Sequence, residues 1–280
     1  MISLCYLSVK SLPVALPRVE SAGVSISSPS DATQRFSDRV ADYAAHRPRY
    51  PAAVYDVLRE RVGLRRGSTV ADVGSGTGIF CEPLLDMGCV VYGVEPNEAM
   101  RREAERALGP LSRSFHSIAG TAEATTLTDR SVDLVVAAQA FHWFDPPKAA
   151  AECRRILRPG APAAMVWNKR ETDASPFLRD YEALLNEFGT DYATVRHDRK
   201  EPDRLARFFA RGYERVTFPN AQRLDLAGLR GRLLSSSYTP AAGDPRRAPM
   251  LAALDRVFER HQRDGAVTID YETELYLGVP

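Results

Sequence analysis

One stretch of this sequence concentrates groups that chemistry needs. Val70-Ala71-Asp72-Val73-Gly74-Ser75-Gly76-Thr77-Gly78 joins an apolar run, an acid and a glycine-rich loop. Glycines let the backbone turn tightly and bring bare amides up to a ligand. The spacing is not the Gly-x-Gly-x-x-Gly/Ala of dinucleotide sites, because Ile79 stands three residues after Gly76. An acid beside the loop repels a pyrophosphate and suits a cationic ligand. A second acid, Glu95, closes the next apolar run, where a carboxylate can accept two hydrogen bonds from a ribose diol. The loop and Glu95 together describe a pocket for a nucleoside without phosphates. A glycine turn with a purely structural role is the competing reading, and it loses weight because the acids and the apolar runs fall in register.

Two further groups of residues hold candidate functional side chains. Phe141, His142 and Trp143 follow a strongly apolar run at 132–138. Aromatic faces attract cations, and a histidine there can act as a base or donate to an anionic substrate. The ordinary alternative is two core aromatics and a satisfied histidine. Arg47 follows Tyr43 by one helical turn, with Tyr50 just beyond, and a guanidinium binds carboxylates bidentately. Its ordinary alternative is a surface arginine stacked on Tyr43. Arg170 and Tyr238 are weaker candidates, for which solvated surface or packing is the default. The basic run 196–200 contains Asp198 and reads as a solvated loop.

The elements that must position these residues follow from periodicity and punctuation. Helices are predicted over 31–50, 52–62, 79–87, 96–108 and 147–157, and strands over 69–73, 89–94, 114–119, 132–138 and 163–167. The second half reads as helices over 177–188, 203–209, 226–235 and 250–263, with strands over 213–219 and 271–279. Strands alternating with helices, joined by right-handed crossovers, give a doubly wound, mostly parallel seven-stranded α/β sheet with helices on both faces. A helical insertion is expected between the fifth strand and the last two. The expected organisation is a loose leader at 1–30 and one domain at 31–280. Within that domain lie cap helices at 31–62, a ligand-binding core at 63–170, and a substrate-side insertion with the last strands at 171–280.

Bulk composition excludes some classes. The 280 residues are 44% hydrophobic and 26% charged, an ordinary globular balance, and the net charge of +1 gives no support for a polyanionic partner. No apolar run approaches the roughly 20 residues that span a bilayer, and residues 1–16 lack the pattern of a signal peptide. Cys5, Cys81, Cys89 and Cys153 match neither a zinc site nor a disulfide framework, so they read as free thiols in a reducing, cytoplasmic setting. The expected partner is a small molecule, with no nucleic acid, membrane or metal. The oligomeric state stays open.

The loop Asp72-Val73-Gly74-Ser75-Gly76-Thr77-Gly78 resembles the first motif of class I S-adenosylmethionine-dependent methyltransferases. Glu95-Pro96-Asn97 resembles their second-strand acid, Gly120-Thr121-Ala122-Glu123 their adenine-flanking turn, and Ile156-Leu157-Arg158-Pro159-Gly160 the turn before their fifth strand, with Ala161 where a second glycine is common. The segments around Phe36 to Pro51 and Gln139 to Phe144 resemble a narrower type 11 group, small-molecule enzymes of the trans-aconitate and juvenile-hormone-acid kind. The resemblance implies S-adenosyl-L-methionine as cofactor. It would be held by Tyr43, Arg47, Asp72, Gly74, Ser75, Gly76, Thr77, Gly78, Glu95, Pro96, Met100, Ala122, Glu123, Gln139, Ala140 and His142. Tyr50, Trp143, Arg170 and Tyr238 would face the acceptor, a carboxylate among the candidates, with His142 as a catalytic group. A methyltransferase acting on RNA or protein, and a non-catalytic nucleoside-binding protein on the same scaffold, are the alternatives.

Overall fold

The computed structural model describes residues 40–190, 192 and 201–280. The expected leader, the helical start at 31–39 and the loop at 196–200 lie outside the described residues. Strands β1 (Thr69–Val73), β2 (Val90–Val94), β3 (Phe115–Ile118), β4 (Leu134–Ala138), β5 (Ala163–Arg170), β6 (Tyr213–Leu224) and β7 (Val267–Gly278) form one seven-stranded sheet in the order β3-β2-β1-β4-β5-β7-β6. The first five strands pair in parallel and β7 runs antiparallel to β5 and β6. This is the expected doubly wound α/β fold. The order reverses beside β1, and in such sheets ligands sit at the carboxyl ends of the strands around that reversal.

Nine helices complete the described residues: α1 (Val40–His46), α2 (Ala52–Val62), α3 (Cys81–Asp86), α4 (Glu98–Leu108), α5 (Pro146–Ile156), α6 (Pro176–Phe188), α7 (Glu201–Phe208), α8 (Leu226–Leu234) and α9 (Arg247–His261). Successive strand residues point to opposite faces, so β1 buries Val70 against one helical layer and Ala71 against the other. Val54 and Leu58 of α2 and Leu84 of α3 join Val70, Val136 and Val166. Ala149, Cys153 and Ile156 of α5 and Phe208 of α7 join Ala71, Val135 and Met165 on the opposite side. A third cluster packs α6, α8 and α9 around Ile269 and Tyr271 of β7. Asn97, Asp145, Ser175 and Asp225 cap α4, α5, α6 and α8 by accepting a hydrogen bond from a first-turn backbone N–H.

Three expectations need correction. The sixth strand does not stop at Pro219 but runs to Leu224, because β6 is the edge of the sheet, where the missing proline N–H costs no ladder bond. The seventh begins at Val267, matching β6 in length through their shared register. The helical insertion is divided: α6 and α7 precede β6, whereas α8 and α9 lie between β6 and β7. Cys81, Cys89 and Cys153 are buried free thiols, and Cys5 lies outside the described residues.

The cap segment is tied across the sheet edge. Asn220 Nδ2 donates to the carbonyl of Arg49 at 2.9 Å, Gln222 Nε2 to that of His46 at 2.9 Å, and Arg47 Nη2 to that of Ser235 at 2.9 Å. Gly231 of α8 lets α1 come close, since a Cβ there would stand 2.1 Å from the His46 ring. Gly231→Ala is therefore expected to destabilise the protein by about 1–3 kcal/mol in urea unfolding, the usual cost of overpacking. His46→Ala in the same chain should recover most of that loss. A full loss persisting in the double variant would show that α1 does not bear on Gly231.

Candidate functional site

The glycine loop leaves β1 at the reversal of strand order. Gly74, Gly76 and Gly78 have φ of 73°, 55° and 84°, in the left-handed region that other residues avoid. They do different work. A side chain at Gly74 would strike Ala140 at 2.4 Å, and one at Gly78 would strike Leu108 of α4 at 2.5 Å, so these two serve close packing. At Gly76 the nearest atom is on the Tyr43 ring at 3.9 Å, which leaves that backbone open to a ligand. The amides of Gly74 and Ser75 donate to the carbonyl of Val94, and the Gly76 amide donates to Glu95 Oε2 at 3.0 Å.

Glu95 thus stands beside the loop at the end of β2. Its Oε1 accepts from the Asn97 amide at 2.8 Å. A carboxylate has about four acceptor positions, so two remain for a diol. Burial pushes its pKa up while the two amides pull it back. Asp72 is fully buried; its Oδ2 accepts a hydrogen bond from Cys81 Sγ at 3.1 Å, and its Oδ1 has no partner. Burial pushes its carboxyl up to about 7.

Asp72, Gly74, Ser75 and Thr77 line a narrow pocket with Tyr43, Arg47, Tyr50 and Gln139. Tyr50, expected on the acceptor side, instead faces this pocket, with its ring edge-on to Phe80 at 5.0 Å. Gln139 follows β4 with φ of 58°, a strained conformation for a non-glycine residue. Its amide donates to the carbonyl of Asn168 at 3.1 Å.

Beyond Arg47 and Gln139 opens a second cavity of about 460 Å³. Arg170 and Tyr238 line it, together with Trp167, Tyr192, Tyr276 and Arg232, the last four of which did not stand among the candidates from the sequence. Arg170 is not free, because it pairs with Glu182 and donates to Tyr192 Oη at 2.7 Å. One signal for Arg232 was available: it falls one turn after Leu229 and beside Leu233, on the buried stripe of α8.

Other expected site residues stand elsewhere. His142 and Trp143 occupy a 3₁₀ turn (Phe141–Trp143), their rings 4.8 Å apart, and neither lines the two cavities. Arg204 of α7 clamps that turn by donating to the carbonyls of Phe141 and Phe144. Ala140 is buried behind Gly74. Met100 is buried in α4, where its amide donates to the Asn97 cap, and Pro96 is exposed. Ala122 is buried, and Glu123 accepts from the Asp145 amide at 2.8 Å, joining the adenine-side turn to the start of α5.

Residues 71–165 match the methyltransferase-domain family. That stretch holds the loop, Glu95 and the strands that carry them. Over those residues the chain carries a methyltransferase domain. An uncharacterized methyltransferase of Mycobacterium tuberculosis is 38% identical over 141 residues, 50% of this chain and 55% of the relative, so the match spans just over half the length of that protein. A solved structure from Anaeromyxobacter dehalogenans, described as a candidate type II methyltransferase, aligns with a TM-score of 0.58 at 25% identity, over 83% of this chain and 97% of that one. A phosphoethanolamine N-methyltransferase of Haemonchus contortus, solved with S-adenosylhomocysteine, shares the fold with a TM-score of 0.52 at 14% identity, over 89% of this chain and 58% of that one. S-adenosylmethionine is the cofactor that the resemblance of the loop implies, and the residues here fit it. The open Gly76 backbone, the spare acceptor positions of Glu95 and the unpartnered Oδ1 of Asp72 suit a nucleoside that carries positive charge.

Two expectations follow. Glu95→Ala should weaken S-adenosylmethionine binding by about 1–3 kcal/mol in calorimetry, the cost of leaving polar partners unpaired; unchanged affinity in a folded variant would remove Glu95 from the site. For Asp72, burial raises the carboxyl from 3.8 to about 7, so the folded state holds its proton more tightly than the unfolded chain does. The stability this group contributes is full below about pH 4 and is lost as the pH climbs to about 7. Asp72→Asn should flatten that decline in urea unfolding measured across the same range, and an unchanged slope would assign the decline to other groups.

Proposed function

We propose that the protein transfers a methyl group from S-adenosylmethionine to a small-molecule acceptor held in the larger cleft, as a cytoplasmic enzyme independent of nucleic acid and membranes. One observation carries this reading: Arg47 and Gln139 line both cavities, so the narrow pocket and the cleft share a wall at the carboxyl ends of β1 and β4. A cleft of about 460 Å³ lies within the range of small-molecule sites, and aromatic side chains form part of its wall beside charged ones. That geometry supports the narrower resemblance to small-molecule enzymes of the trans-aconitate and juvenile-hormone-acid kind.

The chain's part in the reaction is chiefly positioning. When bound, the cofactor supplies a methyl carbon already activated by positive sulfur. Glu95 would accept from the ribose hydroxyls and the Gly76 backbone would lie along the nucleoside. Asp72 would favour positive charge near the loop. Gln139, fixed in its left-handed conformation by β4 and Asn168, would define the boundary that the acceptor's nucleophile must approach in line. Tyr43 and Arg47, strapped down by β6 and α8, would cover the junction and exclude water. An ionised carboxylate needs no base, whereas a phenol or amine must lose a proton.

Calorimetry with S-adenosylmethionine, S-adenosylhomocysteine and NAD is expected to give binding of the first two alone. A radiolabelled methyl transfer screen over carboxylic acids, phenols and amines should then yield at least one methylated small molecule. Preferential labelling of RNA or of protein would overturn the small-molecule reading, and binding of NAD alone would overturn the cofactor assignment as well.

A further inference from the structure

The cleft contains four arginines with very different surroundings. Arg170 is paired with Glu182, and Arg215 with Glu272 and Glu274. Arg47 and Arg232 take part in no ion pair among the described residues. Arg232 is only 6% exposed, and its partners are neutral: Nε donates to Tyr271 Oη at 3.2 Å and Nη1 to Ser236 Oγ at 3.0 Å. Arg47 donates to a carbonyl and stacks over Tyr43 at 4.6 Å. Burial and the neighbouring charge of Arg232 push its pKa down. Buried charges are ordinarily paired, because desolvating one alone costs several kcal/mol. Two cations without an ion pair in one cleft therefore call for an anion that the described residues do not supply.

The polar atoms of the cleft agree. Arg47 Nε, Arg170 Nη1 and Trp167 Nε1 are buried donors without acceptors, and all three residues line this cavity. The acids nearest the cleft among the described residues, Glu274 and Glu182, are already engaged. Glu274 accepts from Arg215 at 2.6 Å and from Tyr276 Oη at 3.0 Å, and Glu182 accepts from Arg170 and from Tyr192 Oη at 2.7 Å. The walls are aromatic: Trp167 meets Tyr276 edge-on at 5.5 Å, and Tyr192 leans on Tyr238 at 4.9 Å. Such surfaces take planar, unsaturated molecules.

We propose that Arg232, with Arg47, forms an anion-gripping subsite, and that the acceptor is a planar molecule carrying a carboxylate or phosphate group. The subsite rests on the reading of this cleft as the acceptor site. Arg47 also borders the cofactor pocket, where a ligand carboxylate can claim it. Arg232 lines the larger cavity and not the narrow one, so it reports on the acceptor.

The test titrates benzoate, phenyl phosphate and the neutral benzamide into the S-adenosylhomocysteine-saturated full chain, read by calorimetry. Either anion should bind at least about tenfold more tightly than benzamide, the factor expected for charge-assisted hydrogen bonds. Arg232→Met, close in volume but uncharged, should erase that preference while S-adenosylhomocysteine still binds. Arg232→Lys keeps the charge without the planar fork and should retain part of the preference; it decides the matter if the methionine variant fails to fold. Equal binding of benzamide and both anions, or an undiminished anion preference in both variants, would overturn the subsite. If S-adenosylhomocysteine does not bind the unaltered protein, the methyltransferase reading falls, while the same anion titration on the cofactor-free chain still decides the subsite.

Discussion

Asn168 is where the sheet and the cap meet. Its Oδ1 accepts from Thr273 Oγ1 at 2.6 Å and from Asn220 Nδ2 at 3.0 Å, and its Nδ2 reaches the carbonyls of Pro48 and Arg49. Its own carbonyl accepts from Gln139. A buried amide can have its donors and acceptors satisfied together only in a few arrangements, so such a network specifies geometry more than it adds stability. Here it joins β5, β6, β7, the cap segment and the strained residue after β4. Tyr43 and Arg47 stand over the glycine loop because the segment that carries them is held from below by side chains of β5 and β6, with Thr273 of β7 fixing Asn168. Loss of that hold would leave the cap with α1 packed on α8 and little to fix its height above the cofactor pocket.

Charge is distributed across the site with a consistent logic. The carboxyls, Asp72 and Glu95, lie on the β1–β2 side, where a ligand bearing positive charge would sit. Of the two guanidiniums without an ion pair among the described residues, Arg232 lies on the α8 side, whereas Arg47 of the cap segment borders both cavities. A buried acid with an orphan oxygen and a buried cation without an acid are each unfavourable alone. Arg232 lines the larger cavity and not the pocket of Asp72, so the two stand apart and each is left to be matched by a ligand. The sheet core beneath, almost wholly apolar on both faces, offsets that electrostatic cost.

Much of this was legible in the sequence because parallel strands buried on both faces read as short apolar runs. The residues of β1 were bounded correctly by Gly67 and Gly74, and the alternation of strands and helices through β5 fixed the winding. Pro219 misled, since proline argues against a central strand and only the sheet order shows that β6 is an edge. The loop and Glu95 were legible because a backbone motif depends on glycine spacing. The placements of Tyr50 and His142 were not: Tyr50 is set edge-on to Phe80 by the packing of the cap, and one turn of 3₁₀ helix, clamped by Arg204, decides which way residues after β4 face, with nothing local in the sequence announcing that clamp. Arg232 was overlooked because the helix around it reads as amphipathic with or without one charge on its buried stripe.

The division between the legible and the illegible half follows from what each half must recognise. A cofactor of fixed shape is met largely by backbone amides and two carboxylates, and backbone geometry leaves a compact signature in glycine spacing. The larger cleft is lined by side chains that converge from elements far apart in the chain: Arg47 from the cap, Trp167 from β5, Tyr192 from beyond α6, Arg232 from α8 and Tyr276 from β7. No spacing rule links them. What links them is an electrostatic imbalance that appears only when donors, acceptors and ion pairs are matched residue by residue in three dimensions. The glycine loop is part of the fold and is legible with it, whereas the unmatched donors of the larger cleft are gathered only when the chain is folded.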